Sequence, residues 1–166
     1  MQLNLVPVVE EDLPLAMEIL GDPRMMLHLG GALSPEAIET AHGNAVRKIA
    51  AGNWWFKIVL DELPARVAGT IGIWETKWLD QPINEMGWSI LLDFQRRGIA
   101  SQAAALVLNR ARREKRFRVI HAFPSVTNVA SNAICQKAGF SLQEEVDLDY
   151  LDRQLRCNVW TIELFD

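Results

Sequence analysis

The passage from Glu85 to Ala111 carries residues whose type and spacing can do chemistry. A β-rich segment, Glu85 to Leu92, runs into Asp93-Phe94-Gln95-Arg96-Arg97-Gly98-Ile99-Ala100 and then directly into a helical stretch. The first turn of a helix presents unpaired backbone N–H groups and a partial positive charge, a combination that binds phosphate. Gly98 has no Cβ, so an anion can approach the backbone there, and Arg96 and Arg97 add positive charge at the same edge. In outline this is a diphosphate site, although it is neither G-x-G-x-x-G nor G-x-x-x-x-G-K-[ST]. The residues alone allow an ordinary strand-to-helix turn with solvated arginines equally well. His28, His42 and His121 have no metal-ligand spacing with one another or with Cys135 and Cys157, so no metal site is expected.

The elements that must position this passage follow from periodicity and breakers. Leu3 to Val9 alternates loosely and reads as a strand. Leu13, Ala16, Met17 and Leu20 share one helical face between Asp12 and the break at Gly21-Asp22-Pro23. Ser34-Pro35-Glu36 is a helix start, with a serine N-cap and proline at the first position; that helix runs to about Ala51. Trp54 to Leu60, Arg66 to Glu75 and Glu85 to Leu92 read as strands separated at Leu63-Pro64 and Asp80-Gln81-Pro82. Gly98 to Arg113 is Ala- and Leu-rich without a breaker, hence a long helix. Val119 to Phe123 is a short strand, and Asn128 to Lys137 is a helix stopped by Gly139. Gln143 to Leu148 and Leu155 to Leu164 form a closing hairpin around Asp152-Arg153. Seven strands and four helices in this order predict an α/β (α+β) fold: a mixed, mostly antiparallel sheet with helices on both faces.

The 166 residues amount to one domain, 1–166, with 49% hydrophobic and 23% charged residues. No apolar run approaches the ~20 residues of a membrane span, and Glu10, Glu11 and Asp12 interrupt any signal-peptide pattern. Two cysteines point to a reducing cytoplasm rather than a disulfide framework. The net charge of −4 argues against nucleic acid as a partner and weakly favours a cationic substrate. The run Arg110 to Arg118, six cations in nine positions, sits at a helix C-terminus, where cations offset the macrodipole.

Gln95-Arg96-Arg97-Gly98-Ile99-Ala100 resembles the Q/R-x-x-G-x-G/A motif of the GCN5-related N-acetyltransferases, the GNAT superfamily. A second passage, Asn128-Val129-Ala130-Ser131-Asn132-Ala133-Ile134-Cys135-Gln136-Lys137-Ala138-Gly139-Phe140, resembles that family's N-x-x-S-x-x-x-x-x-K-x-G-F segment in the form typical of ribosomal-protein N-terminal acetyltransferases. The element order is similar to the family's fold along nearly the whole chain.

The resemblance implies acetyl-CoA as co-substrate and a primary amine, on a small molecule or a peptide, as acceptor. It places Gln95, Arg96, Arg97, Gly98, Ile99 and Ala100 around the diphosphate, the strand ending at Ile90, Leu91 and Leu92 along the pantetheine arm, and Asn128 at the pantetheine or thioester. Lys137 and Phe140 also suit a C-terminal cation and a core plug. Glu85 becomes the candidate base, because family members carry an acid near this position and burial beside Met86 and Trp88 would raise its pKa; a solvated acid at a strand edge is the alternative. Where many members have a helical tyrosine as proton donor, this chain has Cys135, and its one tyrosine is Tyr150. Ser131 fits the thiolate-facing serine of the ribosomal-protein branch, or a helix-start cross-link. Cys135 is an acid, a nucleophile or a small buried residue. Asp149 corresponds to an acid placed near the acceptor amine in that branch. Trp55 and Trp78 are candidates for an acceptor pocket. The implied activity is acetyl transfer by direct attack in a ternary complex, with a homodimer common in the family. A non-catalytic acyl-CoA-binding regulatory module is the rival, suggested by the missing helical tyrosine.

Overall fold

A computed structural model of the chain describes residues 2–62 and 64–166. Seven strands form one sheet: β1 (Leu3–Pro7), β2 (Trp54–Leu60), β3 (Arg66–Trp78), β4 (Gln81–Ile90), β5 (Val119–Ala122), β6 (Ser141–Tyr150) and β7 (Arg153–Glu163). Their order is β1-β2-β3-β4-β5-β7-β6, antiparallel throughout except for the β4–β5 pair. Four helices accompany them: α1 (Leu13–Leu20), α2 (Pro35–Ala50), α3 (Ile99–Arg113) and α4 (Val129–Lys137).

The local chemistry at the helix ends matches the sequence. Ser34 Oγ accepts from the Ala37 N–H at 3.2 Å with Pro35 at the first helical position, and Gly139 adopts φ +92° just after α4. Trp54, Phe56, Ile58 and Leu60 of β2, Ile71 and Ile73 of β3 and Met86 of β4 share one face of the sheet. There they are buried with Ala103, Ala104, Val107, Leu108 and Ala111 of α3. On the other face Lys57 of β2 donates to Asp12, just before α1, at 2.8 Å. The helices thus sit on both sides of the sheet.

Two hairpin turns differ from expectation. β3 and β4 extend to Trp78 and back from Gln81, so the turn is Leu79-Asp80, with φ of +50° and +59°. Pro82 falls inside β4 opposite Lys77, next to the pair that closes the hairpin and before β5 starts to pair at Asn84. Its missing N–H points away from β3 and interrupts no ladder bond. Likewise Tyr150 pairs with Arg153, and the second turn is Leu151-Asp152 rather than Asp152-Arg153, with φ of +46° and +62°. Leu63, half of the expected Leu63-Pro64 break, lies outside the described residues.

Candidate active site

β4 and β5 pair only at Asn84↔Ile120 and Glu85↔His121. From there β5 turns to β7, with Ala122 opposite Trp160, while β4 continues to Ile90 paired only with β3. The sheet therefore splits along one side of β4. Counting from the closing pair Trp78↔Gln81, the N–H and C=O groups of Met86 and Trp88 point away from β3 and into the split. An extended amide-bearing arm can pair with such an edge as an added strand would.

A cavity of about 870 Å³ fills the split and continues beneath α1 and α2. At its α3 end lie Gln95, Arg96, Gly98, Ile99 and Ala100; Ile90 of β4 and Asn128 and Ser131 at the start of α4 also border it. Arg96 and Gly98 adopt φ of +58° and +74° in the turn that leads into α3. A Cβ on Gly98 would meet no atom within 4 Å. The space beside this backbone is open to a ligand, as a diphosphate would need. The Gln95 side chain braces the loop by donating to the Ile90 carbonyl at 2.9 Å. Asn128 caps α4, its Oδ1 accepting from the Ser131 N–H at 3.1 Å, and the Ser131 hydroxyl makes no hydrogen bond among the described residues.

Glu85 is half-buried on the cavity wall where the split begins. Burial pushes its carboxyl up to about 7, against the opposing pull of a hydrogen bond from the Trp74 indole and the charge of Lys48. A carboxyl titrating there accepts a proton effectively near neutral pH.

Several expected site residues lie elsewhere. β4 ends at Ile90. Leu91 turns into the core with its N–H on the Ala68 carbonyl at 2.9 Å, and Leu92 begins a 3-10 turn, so neither borders the cavity. Arg97 points to the other side of the loop, with its guanidinium 3.6 Å from Glu62 and 5.5 Å from the Phe94 ring centre. Cys135 is fully buried under α4, where desolvation pushes its thiol up to about 12. It does not border the cavity, and a thiol raised this far stays protonated at neutral pH. Asp149 is exposed on β6 and does not border the cavity, because its neighbour Tyr150 takes the inward position. Lys137 is exposed and Phe140 is a core plug. Trp78 packs on His121 and Phe123 and does not itself border the cavity, whereas Trp55, Trp74 and Trp88 line it.

Three participants escaped the sequence reading. Tyr150 enters from the β6–β7 hairpin tip, close enough to Glu85 for that charge, added to burial, to raise the phenol's pKa. Lys48 reaches the cavity from α2. Asn132 ties α4 to β7, its Oδ1 accepting from Asn158 Nδ2 at 2.8 Å and Trp160 Nε1 at 2.9 Å. Only the uniqueness of Tyr150 was a visible signal.

No helix among the described residues is long and apolar enough to cross a membrane, and no group of three or more His, Cys, Asp or Glu side chains there could hold a metal ion. Comparison with curated proteins gives no significant match. Solved structures similar to this chain include a GNAT-family acetyltransferase from Bacillus anthracis, at 18% identity, 99% and 96% coverage of the two chains and a TM-score of 0.78. Another is the Salmonella typhimurium acetyl transferase that modifies the N-terminal serine of a 50S ribosomal subunit protein (20%, 98% and 95%, 0.79). A third is spermidine N-acetyltransferase from Vibrio cholerae, solved with CoA and spermine (14%, 98% and 96%, 0.77). At these identities the likeness is one of fold: the seven-stranded sheet and four helices. The family assignment comes from the acetyltransferase (GNAT) domain profile, which matches residues 2–141, most of the chain and both β-strand walls of the split. On that match the chain belongs to the GNAT acetyltransferases and is an acyltransferase.

Proposed function

We propose that the chain, as one cytoplasmic domain over residues 1–166, transfers the acetyl group of acetyl-CoA to a primary amine by direct attack in a ternary complex. The observation that carries this reading is the position of Glu85. It is a carboxyl raised to about 7 on the wall of a cavity whose other end is the open-backed loop at Gly98. The backbone amides from Gln95 to Ala100 would hold the diphosphate, and the free edge of β4 at Met86 and Trp88 would pair with the pantetheine arm. Acetyl-CoA supplies the activated acyl group. Glu85 takes the proton of the incoming ammonium, whose ordinary pKa of ~8–10 keeps it protonated at neutral pH. Ser131 borders the cavity at the start of α4 with an uncommitted hydroxyl, a source of a proton for the departing thiolate. A dimer is not needed for any of these roles.

Purified protein in a thiol-release assay with acetyl-CoA and a panel of primary amines should release CoA only when an acceptor is present. Binding of acetyl-CoA with no turnover of any amine would instead favour a regulatory acyl-CoA-binding module. The specific observation behind that second reading is the absence of a helical hydroxyl at the buried Cys135.

A further inference from the structure

The half of the cavity away from the loop before α3 is built for an acceptor of particular charge. Its floor is aromatic. Gly72 of β3 and Gly87 of β4 are register partners, and a Cβ on Gly72 would lie 2.3 Å from Trp55 Cε3, one on Gly87 2.6 Å from Trp74 Cη2. Each indole therefore packs directly on a glycine, and the two rings meet edge to face at 4.9 Å. Glu85 adjoins this floor, since it is the register partner of Trp74.

The charges around the floor are few. Asp12 is held by Lys57 at 2.8 Å and by the Val9 N–H at 2.8 Å. Arg24 pairs with Asp22 at 2.7 Å, and His42 Nε2 lies 3.0 Å from the Glu10 carbonyl. Arg96 belongs to the loop before α3. In the half of the cavity away from that loop, this leaves Glu85 and Lys48 without an ion-pair partner among the described residues; both line the same cavity, and the Lys48 charge acts on the Glu85 carboxyl. Two contacts also join segments near the cavity, which His28 borders. Arg153 Nη1 donates to the Gly31 carbonyl at 2.8 Å, tying the β6–β7 tip to the segment after α1, and His28 Nδ1 lies 3.0 Å from Thr127 Oγ1.

Resting on the acetyl-transfer reading, we propose that the acceptor is a compact zwitterionic amine of the amino-acid class. Its amine faces Glu85, its apolar body lies on Trp55 and Trp74, and its carboxylate pairs with Lys48. A polyamine would bring further cations beside Lys48 with one carboxyl to receive them, and like charges brought together oppose binding.

The test uses the whole protein, acetyl-CoA and five acceptors: phenylalanine, phenylalanine amide, phenethylamine, spermidine and an alanine-initiated peptide. Phenylalanine should exceed its amide in kcat/KM by on the order of 10- to 100-fold, the size of a charge-assisted hydrogen bond. Lys48→Met should collapse that acid-to-amide ratio and Lys48→Arg should keep it. The acid and the amide differ in amine pKa, so kcat/KM is compared per neutral amine, and Lys48→Arg, which keeps the charge acting on Glu85, serves as the control. Equal or better turnover of the amide, spermidine or the peptide overturns the proposal and leaves acetyl transfer standing. No turnover of the five with turnover of another amine of the panel overturns the proposal alone, whereas no turnover of any amine with acetyl-CoA still bound overturns acetyl transfer and the proposal with it.

Discussion

Glu85 is held in a state that opposes folding, and the sign can be worked out. Burial raises its folded-state pKa from 4.5 to about 7. The native chain therefore binds this proton more tightly than the unfolded chain. The associated stability is fully present below about pH 4.5 and is lost as pH rises through about 7. Glu85→Gln removes the cost of ionising a buried carboxyl and keeps an oxygen to accept from the Trp74 indole. Urea unfolding should show the variant and the native protein nearly equal at pH 4.5, with the variant ahead by ~1–3 kcal/mol at pH 8. The same variant should lose ~10²–10⁴-fold in kcat at neutral pH, and less with a low-pKa amine that arrives already neutral. Stability gained with activity lost is the mark of a functional carboxyl; a merely solvated strand acid would move neither. Burial raises Cys135 in the same direction. It and Cys157 are buried, and desolvation raises both thiols. Ellman's reagent should leave both unmodified in the native protein within minutes and titrate two thiols in denaturant, since the reactive thiolate is almost absent.

Gly98 does its work through an element, as the left-handed residue that turns β4 and its following loop into α3. Gly98→Ala should cost ~1–2 kcal/mol of stability, because an L side chain at this φ is strained although it meets no neighbour. Calorimetric affinity for CoA should fall at least tenfold as the new methyl group enters the space beside the amides. Unchanged affinity would remove the loop from the binding site. This loop was legible in the sequence because all its parts are contiguous: a strand, a glycine where the backbone needs positive φ, and an unbroken helix. The strands and helices were legible for the same reason, through alternation, the Ser34-Pro35 start and the Gly139 stop. The two tight turns were not, since Leu79-Asp80 and Leu151-Asp152 adopt left-handed conformations without the glycine that usually announces them. The split between β4 and β5 was hidden for a different reason. It depends on how many residues of two distant strands pair, and no local pattern encodes that number. Lys48 and Tyr150 were hidden likewise: α2 and the β6–β7 tip meet Glu85 only through the folded sheet.

At the scale of the whole molecule, three arginines of the basic run bind to the protein itself. Arg110 holds Glu114 at 2.8 Å and lies 4.7 Å over Trp54, Arg116 stacks on Phe117 at 4.8 Å, and Arg118 holds Glu163 at 2.7 Å. Arg110, Arg116 and Arg118 of this run thereby fasten the end of α3 and the segment after it to β2 and β7. The split sheet has a mechanical consequence. β1 to β4 and β5 to β7 are joined across the sheet only by the two register pairs at Asn84 and Glu85, with α3 and α4 packed behind. A ligand seated along the free edge of β4 and against the start of α4 links the two halves, and it is bound only by the folded state. At a hundredfold excess over its Kd, CoA should then stabilise the protein by ~2.7 kcal/mol. For a chain of this size that is a rise in Tm of roughly 5–10 °C. Hydrogen exchange should localise the effect, with protection gained at the Met86 and Trp88 amides and in the loop from Gln95 to Ala100, and little change in β1 or β2. A Tm that stays constant under saturating CoA would contradict the split as a binding site. A rise in Tm with protection confined to the far side of α3 would place the ligand on a different surface from the one bounded by Glu85 and Gly98.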